Sequence, residues 1–237
     1  MKKTLGILLI IGIVAIAVLT SGCMDNNSGI EDNGDADVPE GQDAPANDFP
    51  ALEPITSVYI EDNNTEIVRA LKGDTIIIEL QENPTTGYSW NLSASSGLSL
   101  VNDTYVQHSA DEGLTGVGGV HVWTFDLIEN GVQNISAVYK RPWEDITGEE
   151  DAFELTVNVV PLENMIMATG TVIYVDLEGG FYGIAGEDNT NYDPMNLEEE
   201  FMEDGLEVEF TAYPVEDMMS IRMWGQLVEI RSMQSAA

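Results

Sequence analysis

Short strand-like runs separated by turn residues constrain the fold of this chain more than any other feature of its sequence. Between Ser57 and Val160 they are rich in Val, Ile, Thr and aromatic residues, and several alternate apolar with polar side chains. Gly73-Asp74, Asn130-Gly131 and Gly148 mark turns between them. This pattern predicts strands with one buried face. The clearest runs are Thr75–Leu80, Tyr88–Leu92, Val120–Ile128, Val132–Lys140 and Phe153–Val160.

Roughly seven such strands in about 100 residues predict an antiparallel, immunoglobulin-like β-sandwich over residues 57–160. Residues 161–168 are predicted as a linker, 169–231 as a second unit and 232–237 as a tail. The second unit has further strand-like runs, and its segment Pro194–Phe201 is predicted as a short helix capped by Asn196. We expect a small five-stranded barrel of OB-like type there. The predicted fold class is therefore all-β.

The first 23 residues are predicted as a lipoprotein signal peptide. Lys2 and Lys3 precede the apolar run Leu5–Leu19, and small residues then lead to Cys23, the only cysteine. We expect cleavage before Cys23 and a lipid on its sulfur, and an uncleaved anchor is the alternative. Either outcome tethers the chain to the outer face of the cytoplasmic membrane, at the cell surface. Residues 24–56 are acid-rich and poor in large apolar side chains, so they are predicted as a disordered tether.

The charge of the chain excludes some partners. All 42 acidic residues follow the predicted signal, which contains two of the eight basic ones, so the mature chain has a formal charge of about −36. Such a surface repels nucleic acid and anionic lipid head groups, so no nucleic-acid partner is expected. A strong acid excess is also typical of proteins that stay soluble at high salt. Five glycosylation sequons fit a location outside the cell: Asn26, Asn63, Asn91, Asn102 and Asn134.

Motifs for catalysis are missing from the sequence, so an enzyme is not expected and no cofactor is predicted. The only histidines are His108 and His121, and His121 alternates with apolar residues in a strand-like run, which favours a structural role. The single cysteine is assigned to the lipid. The acidic run Glu187–Asp193 carries oxygen ligands that suit Ca²⁺, but it lacks the glycine and distal glutamate of a standard loop. A solvated acidic turn is the favoured interpretation, and no metal site is predicted.

Three turns have unusual compositions and indicate a binding surface. In the first loop, Asn83–Tyr88, Pro84 restricts the backbone and Gly87 permits conformations that other residues resist. The second loop, Leu114–Gly119, has three glycines whose bare backbone lets another chain approach closely. The third loop, Arg141–Trp143, combines two of the residue types most enriched at binding hot spots. Since alternate loops of a sandwich project from one end, we expect these three to lie side by side.

The motifs NPTTGY, GxGG leading into VWTF, and RPW occur in this order and resemble the chagasin family of cysteine peptidase inhibitors over about Ile55–Val160. The resemblance implies an immunoglobulin-like sandwich whose three loops, here called the wedge, plug the active-site cleft of papain-like peptidases. It implies that Thr85 and Thr86 approach the catalytic cysteine and that the other two loops grip the sides of the cleft. Tyr88 and Trp90 are expected to begin the strand that supports the first loop.

The predicted function is therefore that of a membrane-anchored, reversible inhibitor of papain-like cysteine peptidases, expected to be a monomer. The alternative is an adhesion or ligand-binding lipoprotein that uses the same loop edge or the second unit. That unit resembles small accessory β domains of secreted microbial proteins, which implies no activity. The predicted peptidase contacts are Asn83, Pro84, Thr85, Thr86, Gly87, Tyr88, Thr115, Gly116, Val117, Gly118, Gly119, Arg141, Pro142 and Trp143.

Overall fold

The computed structural model describes residues 52–109, 116–177, 179–216, 218, 220 and 222–236. The predicted signal peptide, its Cys23 and most of the predicted tether lie outside these residues, so lipidation and anchoring stay predictions. Within the described ranges, no helix is both long enough and apolar enough to span a membrane. Residues 48–237 belong to one compact unit, which contains all the strands described below.

Two four-stranded sheets form a β-sandwich, as the alternating runs predicted. The first sheet has the order β1-β3-β6-β5 and the second β2-β8-β7-β4. The edge strands β1 and β2 pair in parallel with β3 and β8, and the remaining pairs are antiparallel. The strands are β1 Thr56–Ile60, β2 Glu66–Leu71, β3 Thr75–Glu82, β4 Ser89–Ala94, β5 Leu98–Gln107, β6 Gly119–Leu127, β7 Gly131–Lys140 and β8 Ala152–Val160.

The core of the sandwich follows from the period of two along each strand. In β3, Ile76, Ile78 and Leu80 point inward and are at most 1% exposed. Phe153 and Leu155 of β8 meet them from the second sheet with the same burial. Removing each such side chain from water stabilises the fold by about 1.5–3 kcal/mol, which fixes which face of every strand is inside.

The second unit is a closed barrel with the order β10-β11-β13-β12-β9, which confirms the predicted small five-stranded barrel. Its strands are β9 Ile166–Val175, β10 Phe181–Gly186, β11 Asn191–Pro194, β12 Glu207–Pro214 and β13 Gln226–Ser235. β9 begins inside the segment predicted as a linker, and β13 ends inside the predicted tail. Both extensions are held by β12, which pairs Ala212 with Ile166 and Val208 with Ser235.

The helix predicted at Pro194–Phe201 is wrong. Pro194 ends strand β11, and only Glu199–Phe201 forms a single turn of 3-10 helix. Asn196 caps nothing, because its side-chain amide pairs with the backbone of Ile230 in β13. Its Nδ2 donates to the carbonyl O of Ile230 at 2.8 Å, and its Oδ1 accepts from the Ile230 N–H at 2.7 Å. The side-chain amide thus adds two hydrogen bonds to strand β13 of the barrel instead of capping a helix.

A buried ion pair joins the barrel to the sandwich. Nη1 and Nη2 of Arg231 in β13 donate to the two carboxylate oxygens of Asp74 at 2.6 and 2.8 Å. The side chains of Arg231 and Asp74 are only 3% and 6% exposed. A small apolar cluster that includes Leu71, Val160 and Tyr213 packs beside the pair. Asp74 directly precedes β3 and the first loop directly follows it, so the barrel is fastened at the end of the sandwich away from that loop.

Candidate functional site

The first loop is a tight turn that its own side chains hold in place. Pro84–Thr86 form a turn of 3-10 helix, and Asn83 accepts at Oδ1 from the N–H of Thr85 at 3.3 Å. The hydroxyl of Thr85 donates to the same Oδ1 at 2.7 Å, and that of Thr86 donates to the carbonyl O of Asn83 at 2.7 Å. Gly87 closes the turn in the left-handed region, with φ 82°. The residues at the tip are exposed, and little conformational freedom remains for binding to remove.

The second loop lies against the first. The side-chain amide of Asn83 donates from Nδ2 to the carbonyl O of Gly116 at 3.2 Å. Gly118 approaches β3 so closely that a Cβ atom there would lie 2.9 Å from the carbonyl O of Glu82. Only a glycine fits this contact without displacing backbone. Gly116–Gly119 belong to the described residues, whereas Thr115 and Leu114 lie outside them.

The third loop lies against the first loop from another direction. The guanidinium Cζ of Arg141 lies 4.6 Å from the ring centroid of Tyr88, a cation–π contact. A hydrogen bond to Glu144, with Nη1 3.1 Å from Oε1, raises the pKa of Arg141 above its usual value, so the guanidinium stays charged. Trp143 lies beside Gly87 and is nevertheless 72% exposed. A large aromatic surface is therefore held in a fixed place and left open to solvent.

The three loops thus meet at one end of the sandwich, with the first loop in contact with both others. The described wedge residues are exposed or half-buried except Gly119, which is buried where it begins β6. The described part of the wedge contains no acidic residue, although the chain has 42. These described residues therefore offer a partner no negative charge, and Arg141 carries a positive one.

Residues behind the wedge support it, and sequence analysis missed two of them. The hydroxyl O of Tyr139 in β7 accepts from the N–H of Asn83 at 3.0 Å. The ring of Tyr139 packs between Tyr88 and Trp90, at centroid distances of 5.5 and 5.1 Å. The second missed residue is Glu82, whose carboxylate accepts from the N–H of Trp90 at 3.1 Å. Both contacts link the two sheets at the wedge end.

The sequence contained a signal for Glu82. Its position continues the inward-facing series Ile76, Ile78 and Leu80, so the period of two places a carboxylate inside the sandwich. A buried carboxylate requires partners. Tyr139 offered no such signal, because an aromatic residue in a half-buried strand is ordinary. The supporting strand β4 begins at Ser89, so Trp90 belongs to it as expected, and Tyr88 lies just before it.

The acidic side chains that the sequence offered as a possible Ca²⁺ site bind other residues of this chain. In the acidic run Glu187–Asp193, Glu187 accepts from the hydroxyl of Thr169 at 2.6 Å, and Asp188 from that of Tyr192 at 2.6 Å. The bond from Tyr192 lowers the pKa of Asp188. Asp193 is buried and pairs with Arg222. Among the residues that the structure describes, no group of three or more His, Cys, Asp or Glu side chains is placed to hold a metal ion.

Comparison with known proteins agrees with the resemblance of the loop motifs. A family model described as chagasin family peptidase inhibitor matches residues 69–157, which run from β2 to β8. The chain is similar to amoebiasin-1 of Entamoeba histolytica, with 37% identity over 99 residues, 42% of this chain and 95% of the relative. Amoebiasin-2 of the same organism is 34% identical over 88 residues, which cover 37% of this chain and 70% of the relative.

Among solved structures, the chain is similar to the crystal structure of a cysteine protease inhibitor from Entamoeba histolytica. The identity is 25%, the match covers 46% of this chain and 100% of the other, and the TM-score is 0.42.

The fold and the clustered loops define a class of protein: a β-sandwich that presents a fixed loop edge for binding. The chain belongs to the chagasin family of peptidase inhibitors. Members of this family are inhibitors and not enzymes, in agreement with the missing catalytic motifs.

Proposed function

We propose that this protein is a reversible inhibitor of papain-like cysteine peptidases that plugs the active-site cleft with the wedge. Family membership supports peptidase inhibition, and the motifs in all three loops support this class of peptidase. The first loop, with Thr85 and Thr86 at its tip, enters the cleft and fills the space in front of the catalytic cysteine. The second and third loops contact the two walls.

The observation that carries the proposal is that three separate loops are fixed to one another before any partner arrives. Asn83 binds Gly116 on one side, and Gly87 and Tyr88 contact Trp143 and Arg141 on the other. A preformed surface loses little entropy when it binds, so more of the contact energy remains as affinity. The backbone hydrogen bonds of the 3-10 turn also hold the first loop in a conformation that offers no extended peptide for cleavage.

Trp143 supplies the largest apolar contact of the wedge. Its side chain is 72% exposed, so docking against a cleft wall removes substantial apolar area from water. Such burial is worth about 2 kcal/mol, and tryptophan is among the most frequent hot-spot residues. Arg141 and the ring of Tyr88 extend this contact towards the first loop.

The proposal includes a lipid anchor at Cys23 on the outer face of the cytoplasmic membrane. The point at which the described chain enters the sandwich leaves room for such a tether. The chain reaches the sandwich at Ile55, whose N–H donates to Asp74 at 2.9 Å, and continues into β1, which runs parallel to β3. It therefore arrives at the end of β3 away from the first loop.

The decisive experiment assays the protein spanning Met24–Ala237, which contains the whole compact unit, against papain and a cathepsin-like enzyme. The assay needs enough salt to screen repulsion between the acidic inhibitor and its target. We expect reversible, active-site-competitive inhibition below micromolar concentration. A folded protein that does not inhibit either enzyme at micromolar concentration contradicts the proposal and favours the adhesion or ligand-binding function.

A further inference from the structure

The apolar core of the sandwich ends in a polar cluster directly beneath the wedge. On β3 the inward-facing residues end with Glu82, whose side chain is 5% exposed. On β6 the inward-facing Phe125 and Trp123 are followed by His121 towards the same end. A charged carboxylate buried in this way is strongly destabilising unless a counter-charge and hydrogen bonds compensate it.

The ring of His121 lies against the Glu82 carboxylate. Its Nδ1 lies 2.9 Å from Oε2 of Glu82, and its Nε2 lies 2.6 Å from Oδ1 of Asp103 in β5. The ring stacks on Trp123 at a centroid distance of 3.8 Å and an interplanar angle of 8°, which fixes its orientation. The imidazole is therefore held between two carboxylates, of which Glu82 is buried and Asp103 is 53% exposed.

Glu82 lies at the root of both the first and the second loop. Asn83, whose side chain organises the first loop, is the next residue in the chain. Gly119, where the second loop enters β6, is paired with Glu82 in the sheet, and Gly118 approaches its carbonyl O. The Glu82 carboxylate also accepts from the N–H of Trp90 at 3.1 Å, and this bond crosses to the second sheet. A displacement of Glu82 is therefore transmitted to two of the three loops.

We propose that Glu82 and His121 are positioning residues of the wedge, and that the protonated ring of His121 holds the first two loops in the conformation that inhibits a peptidase. This inference rests on the proposed function, because the wedge is the site that it regulates. Its consequence is an inhibitor whose affinity falls as the pH rises.

The direction of this pH dependence follows from the number of hydrogen-bond donors on the ring of His121. Only the imidazolium form donates from both nitrogens, whereas the neutral ring keeps one donor and loses the positive charge. The groups that face the ring are Glu82 from β3, Asp103 and Tyr105 from β5, and the stacked Trp123 of its own strand. None of these carries a positive charge. Deprotonation therefore leaves the buried carboxylate of Glu82 without a counter-charge.

The first test compares inhibition constants against papain from about pH 5 to about pH 8, the range in which histidine residues commonly change charge. The variants are His121→Gln and Glu82→Gln, which keep hydrogen-bonding capacity and remove the charge. The control is Glu79→Gln, on the same strand with its side chain on the opposite face. All are made in the protein spanning Met24–Ala237, and thermal unfolding confirms that each is folded.

Relative to either variant, we expect wild-type inhibition to weaken by about tenfold across this range, the effect of losing a charge-assisted hydrogen bond. Both variants should inhibit more weakly than wild type at the acidic end and show a flat ratio to each other, and the control should follow wild type. Because every protein meets the same peptidase, ratios of inhibition constants cancel the titration of the enzyme. Variants that match wild type at every pH overturn the inference.

A second measurement needs neither a variant nor a peptidase. In the isotope-labelled wild-type protein, the backbone amide signals of Asn83, Gly116 and Gly118 should shift with pH together with the ring signals of His121. Loop signals that stay constant while the ring titrates overturn the positioning role. This readout also separates the two proposals: coupled signals in a protein that inhibits neither papain nor the cathepsin-like enzyme refute the proposed function and leave the positioning role standing.

Discussion

The indole of Trp143 lies over Gly87, the residue that closes the first loop. A Cβ atom added at Gly87 would lie 3.0 Å from Cη2 of Trp143, which is closer than ordinary van der Waals contact. Gly87 also has a φ of 82°, a conformation that residues with a Cβ atom adopt at a cost. One glycine therefore determines both the turn of the first loop and the position of the exposed tryptophan in the third.

Replacing Gly87 with alanine should damage both features. We expect Gly87→Ala to lower the free energy of unfolding by about 1 kcal/mol through backbone strain. It should also weaken inhibition by about tenfold, because the new methyl group displaces Trp143. Chemical denaturation and an inhibition assay measure the two effects separately.

The matched control is Gly131→Ala. Gly131 has a φ of 100° and no atom within 4 Å of an added Cβ, so it tests the strain without the contact. It should lose similar stability and retain full inhibition. Equal losses of inhibition in the two variants would mean that strain, and not the position of Trp143, determines affinity.

Truncating Trp143 should separate binding from folding. Because the side chain is 72% exposed, Trp143→Ala should change the free energy of unfolding by no more than about 0.5 kcal/mol. Inhibition should weaken at least about tenfold, since the variant loses the apolar contact with the cleft. Ile146→Ala, at an apolar residue that is 58% exposed and outside the wedge, should inhibit like wild type. Unchanged inhibition by folded Trp143→Ala removes the third loop from the wedge.

The sandwich was predictable from the sequence because residues close together in each strand specify that strand and its buried face. In β3 the alternation of Ile76, Ile78 and Leu80 with polar residues specifies both the strand and its buried face. The wedge loops could also be identified from local sequence. Pro84, Gly87 and the neighbouring threonines form a turn whose composition is more specialised than a connection between two strands requires. The function of the loops was inferred because the three motifs, in this order, resemble the chagasin family. Each motif alone is weak evidence for that family.

The wrong helix shows where local information ends. Pro194–Phe201 contains a possible cap and several helix-forming residues, and nothing nearby in sequence contradicts a helix. The competing interaction is tertiary: Asn196 exchanges two hydrogen bonds with Ile230, which lies 34 positions further along the chain. The hydrogen bond from Asn83 to Tyr139 could not be predicted for the same reason, because the two residues are 56 positions apart in the chain.

The buried pair Asp74–Arg231 should contribute strongly to stability. Removing one partner leaves the other charge buried without compensation, so Asp74→Asn and Arg231→Met should each destabilise the fold by about 3–5 kcal/mol. The double variant should be less destabilised than the sum of the two, which a double-mutant cycle from urea unfolding measures. Lys72→Gln, at an exposed charge in the same turn, is the control and should change little. Additive single effects would show that the two side chains do not act as a pair.

The same pair should make the fold sensitive to acid. Burial alone raises the pKa of Asp74, but hydrogen bonds from Arg231 and from the N–H groups of Ile55 and Leu71 outweigh it and lower that pKa below its usual value. A carboxyl group with a lowered pKa in the folded state binds fewer protons there than in the unfolded chain. Its contribution is therefore complete above the unfolded-state pKa of about 3.9 and is lost as the pH falls through the folded-state pKa.

The direction of this pH dependence can be measured by comparison with Asp74→Asn, which has no carboxyl group at this position. We expect the difference in free energy of unfolding between wild type and Asp74→Asn to stay constant from neutral pH to about pH 5, and then to shrink towards about pH 2. Using the difference removes the contributions of other acids, since both proteins share them. A gap that is unchanged at about pH 2 would mean that ionisation of Asp74 does not stabilise the junction between the sandwich and the barrel. In that case the bidentate geometry contributes only through packing.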